Sequence, residues 1–138
     1  MTVGIKVRSN TDKIGSPAFL HAFFSTISGN LEPNGWGSKF PAIMNKLYQG
    51  SISPLEVTAA IEELCTIQKE LSKLPPDKVI WDIKDKSRQP PWGKTIPKEI
   101  TSLGNYFITT GGHDLVLILL GAFEDAMANT KHVEIVQE

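Results

Sequence analysis

Ser53-Pro54-Leu55-Glu56 constrains the fold more than any other stretch of this chain. Ser and Glu at this spacing form a capping box, each side chain bonding a backbone N–H of the other. Proline suits the first helical position, because an N–H there would have no partner within the helix. Behind this start, Val57, Ala60, Ile61, Leu64, Ile67 and Leu71 recur at helical spacing. The pattern predicts one amphipathic helix that Pro75-Pro76 terminates.

Ser16-Pro17 opens a second helix in the same way, with Phe19, Leu20, Phe23, Phe24 and Ile27 as its apolar stripe and Gly29-Asn30 as its stop. His21 falls just off that stripe. Gly111-Gly112 turns the chain into a third helix over residues 113–129, with Asp114 favourable at its positive end and Lys131 just beyond its last turn. Short helices are expected over 41–48 and 97–103. Val3, Ile5 and Val7 alternate with Gly4, Lys6 and Arg8, which reads as a strand with one polar face. The run Val79-Ile80-Trp81-Asp82-Ile83 reads as a buried strand with Trp81 in the core, and 106–109 and 132–137 read as further strands. Residues 10–15 read as a turn.

Strands and helices mix without strict βαβ alternation. The expected class is therefore α+β: a small sheet of about four strands with several helices packed mainly on one face, in a single domain spanning residues 1–138. If the first and last strands are neighbours, Lys6 and Arg8 face Glu134 across them.

The totals narrow the function classes. A net charge of −1 supplies no global field toward nucleic acid or an anionic membrane. The one cysteine, Cys65, excludes an internal disulfide and fits a reducing compartment; its place beside Leu64 puts it on or near the buried face of its helix. Residues 1–9 lack an apolar run after a basic start, so no export signal is expected. The apolar stretch 115–120 is too short to span a bilayer. A cytoplasmic protein with no membrane association is expected.

No catalytic or cofactor signature emerges. The histidines His21, His113 and His132 are not spaced as metal ligands, and no Cys-x-x-Cys accompanies them. Thr109-Thr110-Gly111-Gly112 precedes a helix but lacks the glycine and lysine pattern of a phosphate loop, so a tight turn is the simpler reading. Asp82 and Asp85 flank the end of the expected strand, where local capping or ion pairing accounts for Asp82. The expectation is no enzyme, no metal and no cofactor.

Binding fits better. A charged loop (Lys84, Asp85, Lys86, Ser87, Arg88) follows Ile83 and runs into Pro90-Pro91-Trp92-Gly93. Rigid prolines presenting a tryptophan among charges hold a surface with little entropy to lose on binding. From Lys78 to Lys98 there are six cations against two carboxylates, whereas after Thr110 five carboxylates face one lysine. The chain is polarised rather than basic, which suits a protein partner. Basic residues interleaved with Trp92 also suit single-stranded nucleic acid or a small ligand bound between Lys84 and Lys98, which is the alternative reading. The broad stripe of the last helix, with Val116, Leu117 and Leu120 flanking Leu115, Ile118, Leu119, Ala122, Phe123 and Ala126, reads as core and also permits a homodimer.

Taken together, Ile14-Gly15-Ser16-Pro17, Gly35-Trp36-Gly37, Leu47-Tyr48-Gln49-Gly50, Trp81-Asp82, Pro90-Pro91-Trp92-Gly93 and Asn105-Tyr106-Phe107 run in order along almost the whole chain. In these motifs the chain resembles the immunity protein 70 family of bacterial polymorphic toxin systems. The resemblance implies a small antidote that binds a cognate toxin domain and blocks it without turnover. On that reading Trp92 is the expected anchor, Arg88, Lys86 and Asp85 supply electrostatic fit, and Trp36 is a second anchor candidate.

Overall fold

The computed structural model describes residues 2–91, 93 and 95–137. Strand β1 (Val3–Val7) turns through Arg8 and Ser9 into β2 (Asn10–Gly15), with which it pairs antiparallel. Arg8 takes the left-handed conformation at φ 57 that a tight hairpin needs. On its other side β1 pairs with β4 (Val133–Gln137), and β4 in turn with the short β3 (Ser51–Ile52). The sheet order is β2-β1-β4-β3. Val3, Ile5, Val7 and Val133 are buried while Lys6 and Glu134 are exposed, the alternation of a sheet with one face covered.

Lys6 stands opposite Glu134 in the register, as expected. Arg8 does not join them; its guanidinium meets Asp125 at 2.9 Å.

Ser16 caps α1 (Pro17–Leu31) by accepting a hydrogen bond from the Phe19 N–H. The Ser53–Glu56 capping box forms, and a short 3-10 turn leads into α2 (Val57–Leu71). Helix α3 (Leu115–Asn129) starts at Asp114, whose carboxylate accepts the Val116 N–H. Helices α1 and α3 pack on the sheet, and α2 packs on them. The α2 stripe packs against α3 and α1, with Val57, Ala60, Leu64, Ile67 and Leu71 fully buried. Cys65 does not share this burial. One residue past Leu64 is about 100° round the helix, and the thiol is exposed. In α3 the core reading holds for Leu115, Val116, Leu119, Ala122, Phe123 and Ala126, but Leu117 lies 59% exposed.

The fold is α+β with a four-stranded antiparallel sheet, yet two of its strands are not the ones the sequence suggests. Residues 10–15 form β2 and not a turn: Asn10 to Lys13 carry no apolar signal, and β1 supplies the hydrogen bonds that make them a strand. Residues 79–83 are buried at Trp81 but join no sheet. Their backbone bonds side chains of α1 instead. The Ile80 N–H donates to Thr26 Oγ1 at 3.0 Å, and the Thr26 hydroxyl donates to the Ile80 carbonyl at 3.2 Å. The Ile83 N–H donates to Ser25 Oγ at 3.1 Å, and the Asn30 amide reaches the Lys78 carbonyl at 3.0 Å. Residues 106–109 contribute a single bridge, Ile108 to Asp114. The helix expected over 97–103 is absent, and a lone 3-10 turn at Leu103–Asn105 follows.

Thr26→Val keeps the shape of the side chain and removes both bonds to Ile80. It should cost about 2–4 kcal/mol, the penalty for leaving a shielded donor and acceptor unpaired. Thr26→Ser keeps the hydroxyl and should lose only about 1 kcal/mol for the missing methyl. Urea titration of the variants measures both; equal losses would show that packing, not hydrogen bonding, holds the segment.

Candidate functional site

Glu32 follows the last residue of α1 and is 4% exposed. A buried carboxylate needs donors, and this one takes three. The Gly37 N–H donates to one oxygen at 2.9 Å, and the Lys39 and Phe40 N–H groups donate to the other at 3.0 Å each. The Gly-rich loop after α1 is thus wound around one side chain. Gly37 sits at φ +79 with Asn45 so close that a Cβ would lie 2.4 Å from its amide nitrogen. Only glycine suits that place.

The loop runs into a π-helix, Ala42–Leu47, where a short helix was expected. Its first N–H groups are satisfied by Glu63 of α2, which accepts from Ala42 at 3.2 Å and from Ile43 at 3.0 Å. The Trp36 indole N–H donates to the Met44 carbonyl at 2.8 Å and locks loop to helix. π-Helical turns strain the backbone ladder and occur often at functional sites.

These restraints build an aromatic ledge. Phe24 of α1 is buried beneath it; Tyr48 meets Phe24 at a ring separation of 5.1 Å and Trp36 at 4.9 Å, both edge to face. His21 stacks on Trp36 at 6.2 Å. Trp36 and His21 are half-buried, and Tyr48 is 41% exposed. The ledge continues into charge. His21 Nδ1 lies 3.4 Å from Ser25 Oγ, the hydroxyl that holds the Ile83 N–H. Next to Ile83, Asp82 accepts the Lys84 N–H at 3.0 Å and pairs with Arg88 at 3.3 Å. The Asp82 carboxyl is held below its usual range chiefly by the Lys84 N–H, with the nearby His21 and Arg88 adding to the effect.

The structure therefore joins Trp36 to Arg88, which lie far apart in sequence. Asp85 is exposed and closes a turn, accepting from the Ser87 N–H and hydroxyl. Lys86 is not on the ledge; it borders a separate cleft with Pro76, Val79, Gln89 and Pro90. Trp92 lies outside the described residues. Sequence reasoning passed over Tyr48, His21 and Glu32 as site residues. Their signals were weak: an aromatic between Leu47 and Gly50, a histidine just off an apolar stripe, and an acid opening a glycine-rich loop.

The Gly111-Gly112 turn closes on itself. The Gly112 N–H donates to the Thr109 carbonyl and the His113 N–H to Thr109 Oγ1, while Asp114 occupies the helix end that an anion would need. Among the described residues no three His, Cys, Asp or Glu side chains gather as a metal site, and no helix is long and apolar enough to cross a membrane.

The structure is thus an α+β domain that presents a braced aromatic surface. The model of the immunity protein 70 family matches residues 5–135, and the chain belongs to that family. No curated protein and no solved structure matches it.

Burial raises the Glu63 carboxyl above its usual range, outweighing its two backbone hydrogen bonds, and the neighbouring Glu32 adds to the rise. A folded pKa above the unfolded one gives a contribution that is fully present below the unfolded value and fades as pH climbs through the folded value. Glu63→Gln removes it. From neutral to about pH 4, denaturation midpoints should shift in favour of the wild type relative to the variant; parallel profiles would contradict the assignment.

Proposed function

We propose that this protein is an antidote that binds the toxin domain of its own polymorphic toxin system one-to-one and blocks it without turnover. Membership of the immunity protein 70 family carries the proposal. A pre-braced surface of rings and charges supports it, because rigid aromatics lose little entropy on binding. The interface would be of standard size, about 1,600 Å² in total. Trp36 and Trp92 are the proposed anchors, and Asp85, Lys86 and Arg88 give electrostatic fit. The proposed site of the complex is the cytoplasm.

Co-expression with the cognate toxin domain should restore growth, and calorimetry should give one-to-one binding tighter than about 10 nM, or −11 kcal/mol. Trp36→Ala combined with Arg88→Ala should weaken both. Growth arrest despite co-expression, with no binding at micromolar concentrations, would end this reading.

A further inference from the structure

We infer that the toxin is anchored on the ledge of Tyr48, Trp36 and His21, with Arg88 at its charged end. The matching toxin surface is an apolar recess with a carboxylate on its rim. This inference rests on the antidote reading above and adds where the partner sits and what it must offer.

Exposure singles out Tyr48. The exposed large apolar side chains among the described residues are Tyr48, Leu55, Ile108, Leu117 and Met127. Four are aliphatic or thioether chains. Only Tyr48 is a ring, and it already rests on Trp36 and Phe24. Tyrosine, tryptophan and arginine are the types that dominate binding when they sit together.

Bracing explains the unusual backbone. Five backbone N–H groups of the loop and π-helix are taken by only two carboxylates, Glu32 and Glu63. One of these acids is buried, and burial raises the pKa of the other, so the arrangement is held against desolvation. A simple connection between α1 and the sheet would not need it. Its outcome is that Trp36 and Tyr48 are fixed relative to α1.

Charge then selects the partner. Asp82 is satisfied by the Lys84 N–H and by one nitrogen of Arg88. The Arg88 side chain remains 56% exposed, and Lys84 is also exposed. The end of the ledge thus offers two exposed cations, Lys84 and Arg88, against one exposed acid, Asp85, which holds the Ser87 N–H and hydroxyl; the balance is cationic, which favours a carboxylate over a basic surface.

The test measures association and dissociation of the cognate toxin domain with wild type, Tyr48→Ala, Tyr48→Phe and Arg88→Glu. Tyr48→Ala should weaken binding by about 30-fold or more through faster dissociation, the size of a hot-spot truncation. Tyr48→Phe, which keeps the ring, should restore most of it. Arg88→Glu should slow association and reverse its dependence on salt. Amide resonances of the wild type should shift on binding at residues 21, 36, 48, 82 and 88, a measurement that needs no variant to fold. Tight wild-type binding with unchanged Tyr48→Ala kinetics and shifts elsewhere would overturn the ledge and leave the antidote reading intact. An absence of wild-type binding would overturn both.

Discussion

The structure depends on how α1 satisfies its neighbours. Ten of its fifteen residues are buried, so it is packed on more than one side. One side gives Phe19, Phe23 and Ile27 to the core. Another carries Ser25 and Thr26, buried hydroxyls that a helix interior usually avoids. They are accommodated because residues 80–83 bring backbone donors and an acceptor to them. Gly29 lets this segment come close: a Cβ there would lie 2.1 Å from Ile80 Cδ1. The hydroxyls and the extended segment need each other, and their union puts Trp81 in the core and Asp82 at the surface beside His21.

The same helix sets up the ledge. Glu32, at its end, gathers the following loop, and Glu63 of α2 receives the π-helix. Both acids accept backbone N–H groups that would otherwise be shielded without partners. The rings of His21 and Phe24 come from α1, Trp36 from the loop and Tyr48 from just beyond the π-helix. Trp36, Tyr48 and Asp82, one residue from each of three motifs carrying the family resemblance, thereby come to one surface, while Trp81 and Leu47 of the same motifs stay in the core. A protein whose role is to bind gains from such bracing, since a surface already ordered loses little on association.

Much of the scaffold was legible because its signals are local. Ser16-Pro17, the Ser53–Glu56 box and Asp114 mark helix starts through bonds made within one turn. The alternation in residues 3–7 and 133–137 marks strands with one face buried. Of the candidate site, Trp36 and Arg88 were legible as binding residue types, but nothing in the sequence joined them or separated Lys86 from them. That link runs through His21, Ser25 and Ile83, by contacts between segments more than fifty residues apart.

The sequence by itself determined the class of fold, the three long helices and the family. Each follows from short-range periodicity, capping chemistry or ordered motifs. Only the tertiary structure decided which extended segments became strands. Residues 10–13 pair because β1 lies beside them, despite their polar side chains, while the β-branched run at 79–83 bonds a helix. A β-branched run reports burial, whereas a strand is made by hydrogen bonds to a neighbour, and that neighbour is chosen only when the whole chain packs. The ledge belongs to the same level: its geometry comes from two carboxylates reaching backbone that lies elsewhere in the chain or around a loop.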